Sequence, residues 1–381
     1  MPQKILVISR EFYPLTHGGL GKLIYEYLSR SKKFEYWVIT KKHHKRKNID
    51  NIKFIQIDTP KKIERYRQIY GFYFVINSFI KALFISDISV IVGIGFVGPI
   101  VGNLIGIIKG KPRLNIIYDV DHLKKESELF NDIERLIRFN IQKFIFTSSN
   151  KTMCGSEFSK RDMIRMFNIS KDKIVANPPG LDEKNLNNRT LKKGKNDDKT
   201  IFIFVGSISP KEGLEFILEA LSLLKRKRYR FLFYAVGKIV NEIYYKRLVN
   251  LVDSLSLNDN VKFTDRVESV WPYYLSSDIF VTMTYHQKGF SMPVIEASSM
   301  GLPVVVPGYL EKVGVAINGK TGIVVGDKDS LSLFNALEKL TRNPELRKKL
   351  GEYGKIFAKK FNWNKSAFSF EECLSQLYDI R

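Results

Sequence analysis

The chain has 381 residues, 44% of them hydrophobic, with 62 Lys and Arg against 39 Asp and Glu, a formal net charge of +23. That length and apolar content supply two cores of ordinary size, and no stretch is polar enough to stay disordered. Two cysteines, Cys154 and Cys373, stand far apart and outside any CxxC or Cys/His cluster, which argues against disulfide and zinc scaffolds and for a reducing cytoplasm.

The N-terminal stretch MPQKILVISREFYP reads as a first strand, its apolar run being too short for a signal-peptide core with a cleavage site. Short β-rich runs at Ile5–Ser9, Tyr36–Thr40, Phe54–Ile57, Val90–Gly93, Asn115–Tyr118 and Phe144–Thr147 alternate with helical segments. Such alternation predicts a parallel sheet with crossover helices. The uncharged stretch ISVIVGIGFVGPIVGNLIGII, Ile88 to Ile108, is long enough to suggest a membrane span. Gly93, Gly95, Gly98 and Pro99 divide it instead into a buried strand, a turn and a helix beginning near Pro99. NPPGLDEKNLNNRTLKKGKNDDKT then reads as a hinge or linker. The scheme repeats beyond it, with strands at Ile201–Val205, Phe231–Val236, Val261–Phe263, Ile279–Thr282, Pro303–Val306 and Ile323–Val325. Two Rossmann-like parallel-sheet domains of this kind, facing across a cleft, would bind a ligand at the carboxyl ends of their strands.

Nucleic acid, an anionic membrane face and phosphorylated substrates would each account for a charge of this size. SRSKKFEYWVITKKHHKRKN, PKKIERYRQ, KGKPR and DHLKK are basic clusters of the first half, followed by LKRKRYR and ELRKK. They read either as solvated faces or as segments turned to an anionic bilayer. No zinc-finger spacing or RNP signature accompanies them, so no nucleic-acid partner is expected.

Three turns after strands carry chemistry. In REFYPLTHGGLGKLIYEYLSR, Gly18, Gly19 and Gly21 open a helix, where glycine lets a backbone approach an anion at the positive helix end. This is not the GxGxxG fingerprint, and Glu35 is poorly placed for a ribose, which disfavours a dehydrogenase. In FVGSISPKEGLEFILEAL, Gly206 ends a strand and Gly213 precedes an amphipathic helix, an arrangement suited to a backbone phosphate cradle with Lys211 as charge donor. An ordinary strand–loop–helix connection fits those residues as well. In KGFSMPVIEASSMGLPVVVPG, Gly289, Phe290 and Ser291 precede Pro293, which suits the first turn of a helix, and Glu296 follows near the helix start. A carboxylate there can accept both hydroxyls of a ribose, while N–H groups of residues 290 to 292 meet phosphate oxygens.

Taken together and in this order, these turns resemble the retaining glycosyltransferases of family 4, which have the GT-B fold. The likeness runs nearly end to end, through EFYPLTHGGLG, YDVDHL, CGSEFSKRDMIRMFNISKDKIVANPPGLD, FVGSISPKEGLEFILEAL, DRVESVWPYYLSSDIFV, KGFSMPVIEASSMGLPVVV and NGKTGIVVGDKDSLSLFNALEKLTRNPELRKKLGEYG. No single string is diagnostic; their order and spacing are. The resemblance implies residues 1–178 as an acceptor-binding domain, 179–362 as a donor-binding domain, and 363–381 as a C-terminal helix that crosses back to the first.

It further implies a nucleotide-diphosphate sugar as donor, with no cofactor and no metal. Gly19 and Gly21 would approach the donor phosphates, together with Gly206, Gly289 and the N–H groups of Phe290 and Ser291. Glu296, the second Glu of the family's Glu-x7-Glu pattern, would hold the ribose. Several positions depart from the pattern. The family's phosphate-binding Arg falls on Ser207 and its Lys on Glu212, beside Lys211; the first Glu of the pair is Lys288. In YDVDHL the His-Asp order is inverted, so either Asp121 or His122 takes the position near the reacting sugar. Two cations are missing from the pocket and one has appeared, so Lys288 and Lys211 would have to restore the field on the leaving diphosphate.

The expected activity is a retaining, metal-independent transfer of a hexose to a hydroxyl of a lipid-linked glycan, by front-side displacement. No convincing DxD motif sits in a donor loop, and no carboxylate pair is placed for a glycosyl-enzyme intermediate. The basic segments, interleaved with Phe and Tyr between Tyr66 and Phe84, suggest a peripheral site on the inner face of the membrane. Two rival readings remain: a catalytically impaired subunit of a glycan-assembly complex, and a nucleotide-sugar epimerase or phosphorylase on the same fold.

Overall fold

The computed structural model describes residues 3–13, 19–42, 49–60, 63, 67–118, 132–181, 199–285 and 289–379. The chain divides into two compact units, Met1–Gly180 with Trp363–Arg381, and Leu181–Asn362.

The first unit is built on strands β1 (Gln3–Ile8), β2 (Phe34–Lys41), β3 (Ile52–Ile57), β4 (Ile88–Ile94), β5 (Arg113–Ile116), β6 (Lys151–Cys154) and β7 (Ile174–Ala176). They form one parallel sheet in the order β3-β2-β1-β4-β5-β6-β7. All seven residues of β4 are buried, as a strand covered on both faces requires. The helices are α1 (Gly19–Arg30), α2 (Arg67–Leu83), α3 (Val97–Ile108), α4 (Asp132–Ser148) and α5 (Glu157–Phe167). The uncharged stretch from Ile88 is therefore β4 followed by α3. Gly98 is dictated by the close approach between α3 and β1, because a Cβ there would stand 2.2 Å from the Ile8 carbonyl oxygen.

Phe144–Thr147, expected to be a strand, is the last turn of α4, and the strand is Lys151–Cys154 instead. A four-residue run of this kind reads alike in either state. Here Phe139, Ile145 and Phe146 pack with Phe167 and Met163 of α5, and the Thr147 hydroxyl bonds back to the Lys143 carbonyl at 2.8 Å in the helical manner.

The second unit contains β8 (Thr200–Val205), β9 (Phe231–Val236), β10 (Val261–Phe263), β11 (Ile279–Val281), β12 (Val304–Pro307) and β13 (Gly322–Val325), all parallel in the order β10-β9-β8-β11-β12-β13. Its helices are α6 (Leu214–Arg226), α7 (Glu242–Ser254), α8 (Trp271–Ser276), α9 (Met292–Ser299), α10 (Gly308–Val313), α11 (Ser330–Arg342) and α12 (Pro344–Ala358). Phe202, Phe233, Leu218, Leu221, Leu333 and Leu337 centre its core. Fully burying each of these side chains contributes about 1.5 to 3 kcal/mol.

The chain ends in α13 (Trp363–Tyr378), which packs against α1 of the first unit. Tyr27 of α1 stacks on Phe370 with ring centroids 5.0 Å apart, and its hydroxyl lies 3.1 Å from Ser366 Oγ and 2.9 Å from Tyr118 Oη. Asn177 Nδ2 donates to the Ser366 carbonyl at 2.9 Å, so the segment leaving the first sheet and the returning helix share one buried polar cluster. Burial raises the Tyr27 hydroxyl to about 12. Among the described residues no helix is long and apolar enough to cross a membrane.

Candidate active site

Each sheet has one point where strand order reverses, between β1 and β4 in the first unit and between β8 and β11 in the second. Loops leaving the carboxyl ends of those strands frame a crevice suited to ligands.

At the first of these points α1 begins with Gly19, and no described atom lies within 4 Å of the place where its Cβ would stand. Gly21 is buried in the same turn, and its carbonyl accepts the Tyr13 amide at 3.2 Å. Among the described residues nothing stands over the Gly19 position, as an approaching phosphate would need.

In the second unit, the loop from Gly206 to Gly213 follows β8. Gly206 donates its amide to the Val236 carbonyl, and a Cβ on Gly237, at φ 144°, would stand 2.0 Å from the Gly206 carbonyl oxygen. The ends of β8 and β9 thus pack backbone to backbone. Farther along, the Lys211 carbonyl accepts Thr284 Oγ1 at 3.1 Å and the Tyr285 amide at 3.3 Å, which ties this loop to the segment after β11. Gly213 lies at φ 64°, and a Cβ on it would stand 2.5 Å from the Met283 carbonyl oxygen.

Three successive amides of this loop donate within the fold: Glu212 to the Ser209 carbonyl, Gly213 to the Pro210 carbonyl, and Leu214 to the Tyr244 hydroxyl at 3.2 Å. The Tyr244 hydroxyl in turn donates to Glu215, and burial raises its pKa strongly, with the Glu215 carboxylate adding to the effect. Glu212 is buried and Lys211 exposed. The start of α6 is thus closed by the protein's own groups, with Gly206 and Ser207 ahead of the closure.

The start of α9 differs. Ser291, its N-cap, is buried, but its side chain makes no capping hydrogen bond among the described residues, and Pro293 occupies the first turn. Among the described residues the start of α9 therefore has no side-chain cap, the kind of helix end at which negative charge is stabilised. Phe290 packs edge-on against Phe361 with centroids 5.3 Å apart, which fixes the entering chain.

One turn in, Glu296 Oε2 accepts a hydrogen bond from Tyr274 Oη at 3.2 Å. Tyr274 comes from α8, is completely buried, and packs between Trp271 and Phe280. Burial, with the adjacent Glu296 charge, holds its hydroxyl well above the usual tyrosine range. It therefore stays protonated, its one hydrogen shared between the half-exposed Glu296 carboxylate and the Pro293 carbonyl 3.3 Å away.

Of the residues singled out in the sequence, Gly206, Ser207, Lys211, Gly289, Phe290, Ser291 and Glu296 all lie in loops or helix starts following the neighbouring strands β8 and β11. Gly19 and Gly21 belong to the first unit. Asp121, His122 and Lys288 lie outside the described residues. Sequence reasoning missed Tyr274 and Tyr244. Both are buried helical residues, and only the distant groups that their hydroxyls meet mark them out.

Two parallel-sheet α/β units, the second with an uncapped helix start and a carboxylate one turn in at its switch point, make up a GT-B fold. Residues 188–357 match the family described as glycosyl transferases group 1. The chain is 23% identical over 370 residues, 97% of each chain, to the uncharacterized glycosyltransferase MJ1178 of Methanocaldococcus jannaschii. Among solved structures it resembles sucrose-phosphate synthase of Thermosynechococcus elongatus, with TM-score 0.82 and 18% identity over 100% of both chains. It also resembles Anabaena HepE in complex with UDP-glucose, with TM-score 0.76 and 15% identity over 98% of this chain and 99% of that one. These likenesses support a glycosyltransferase of the GT-B type.

Proposed function

We propose that this protein is a retaining hexosyltransferase of family 4 that moves a hexose from a nucleoside diphosphate sugar to a hydroxyl of a lipid-linked glycan. The observation that carries the reading is the start of α9, without a Ser291 cap and with Glu296 held one turn in by the buried Tyr274 hydroxyl. Glu296 accepts the ribose hydroxyls, and the first amides of α9 receive the diphosphate. The solved complex of HepE with UDP-glucose supports a donor of this class.

Transfer is metal-independent in this reading, with the charge of the departing diphosphate met by the helix start and by Lys211 and Lys288. The leaving phosphate takes the acceptor proton on the face where the new bond forms, which retains the anomeric configuration. The acceptor binds the first unit, and the enzyme works at the cytoplasmic face of an anionic membrane.

Thermal unfolding against a panel of nucleoside diphosphates and their sugars tests the donor half of this reading. A ligand at about 100 times its dissociation constant raises stability by about 2.7 kcal/mol. Anomeric analysis of the product and activity in chelator test the rest. The rival of a catalytically impaired subunit is favoured by one observation, the closed start of α6 with buried Glu212 where the resembled family has a cation. No shift with any donor would select that rival.

A further inference from the structure

The second unit carries a cavity of about 330 Å³ at the amino ends of β11 and β12, the opposite end of the sheet from the start of α9. Ser277 and Asp278 lead into β11, Leu302 and Pro303 lead into β12, and all four line it. Its volume lies within the range of small-molecule pockets, roughly 300 to 1,000 Å³. The glycines of the candidate active site belong to loops that follow strands, so this cavity is a separate place in the fold.

One wall is apolar and one is cationic. Leu275, Met300, Leu302 and Pro303 give the first, while Arg347 and Lys348 come from the first turns of α12. Arg347 Nη1 donates to the Leu340 and Thr341 carbonyls at 2.7 and 3.0 Å, which fixes the guanidinium against the end of α11. Among the described residues its Nε and Nη2 have no partner, and neither has Lys348 Nζ. A guanidinium held in place with spare donors is suited to a phosphate.

The surrounding charges leave that wall positive. Asp278 is the one carboxylate in the lining, and its Oδ2 already accepts the Ile201 amide at 2.9 Å. Lys355, whose side chain lies against Gly301, is paired with Glu352 at 2.6 Å, and the exposed Glu345 and Lys349 stand outside the lining. A phosphate on the two cations, a hydroxyl at Asp278 and the C–H face of a ring on the apolar wall describe one class of ligand.

We propose that this cavity binds a small hydroxylated phosphate monoester, of the size of a hexose phosphate, with its phosphate on Arg347 and Lys348 and a hydroxyl on Asp278. The site also touches the elements that hold Glu296. Tyr274 and Leu275 of α8 form part of its lining, and so does Met300, the C-cap of α9. The Tyr274 hydroxyl reaches Glu296 Oε2 at 3.2 Å, and the Met300 amide donates to the Glu296 carbonyl at 3.2 Å. An occupant in contact with both helices holds them in the arrangement that braces Glu296, so it tightens donor binding, and the donor tightens its binding by the same factor. That coupling rests on the proposed donor reading, whereas occupation of the cavity does not, so the two are read separately.

The test is titration calorimetry of the full chain with glucose 6-phosphate, glucose 1-phosphate and inorganic phosphate. Wild type is expected to bind at least one hexose phosphate ten times more tightly than inorganic phosphate. Lys348→Glu, altered only at an exposed position, is expected to lose at least tenfold in that affinity with its thermal unfolding unchanged, while Glu296→Gln keeps it. Saturating hexose phosphate is expected to tighten UDP binding to wild type at least threefold. No binding of either hexose phosphate, or inorganic phosphate bound as tightly as they are, would overturn the proposal. So would affinity lost in Glu296→Gln and kept in Lys348→Glu, which would place the ligand at the start of α9. UDP affinity unchanged by the hexose phosphate would overturn the coupling.

Discussion

Two helices of the second unit follow neighbouring strands of one sheet, and neither has a side-chain cap at its N-cap residue, but their starts are built differently. At α6 the Leu214 amide is taken by Tyr244, itself tied to Glu215, and Gly213 is locked against Met283. At α9 the N-cap Ser291 withholds its side chain, and the residue one turn in is a carboxylate braced from behind. Both begin on glycine-containing turns that look equally fit for phosphate in the sequence. A helix start becomes an anion site only where the fold declines to fill it.

The difference can be broken or sharpened by substitution. The largest effect is expected at Gly213→Ala, which adds left-handed strain of about 1 to 2 kcal/mol to a collision with the Met283 carbonyl, for a loss of about 3 kcal/mol in denaturant unfolding. A tolerated alanine would mean that the closed turn is looser than the geometry indicates. Next comes Glu296→Gln, expected to cut kcat/KM about a hundredfold, or about 2.7 kcal/mol, and to abolish the donor-induced thermal shift. If the shift persisted, the carboxylate would have no part in binding the donor.

Tyr274→Phe should follow with about a tenfold loss of donor affinity, because Glu296 loses its brace while packing is kept. Since burial and Glu296 hold the Tyr274 hydroxyl well above its ordinary range, it stays protonated, and wild-type donor affinity should show no tyrosine limb between about pH 7 and 10. A limb abolished by the Phe variant would contradict that protonation state.

The smallest effect is the most discriminating. Asn241 caps α7 by accepting the Tyr244 amide at 2.8 Å, so Asn241→Ala should cost about 1 kcal/mol. Ser291→Ala should cost less than about 0.5 kcal/mol, because its side chain makes no capping bond among the described residues. Equal costs in unfolding experiments would close α9 as well and remove the comparison.

Much of the fold was legible along the chain. Phe231–Val236 and Val261–Phe263 begin and end where the apolar runs do, and the long uncharged stretch divides at its glycines into β4 and α3. Phe144–Thr147 was misread because a four-residue run carries no period, and β7 was missed because three residues carry less. Of the site, Gly206, Phe290, Ser291 and Glu296 were visible as turn and helix-start chemistry. Tyr274 was not, since its hydroxyl meets Glu296 across 22 residues of sequence.

The sequence by itself determined two parallel sheets, the turns that follow their strands, and a carboxylate set one turn into a helix, because periodicity, glycine and capping act over a few residues. The tertiary structure alone decided which amide at the start of α6 is taken by a tyrosine hydroxyl and which carboxylate is braced. Each of those depends on a partner brought from a distant element, and burial, rather than local propensity, sets what that partner does.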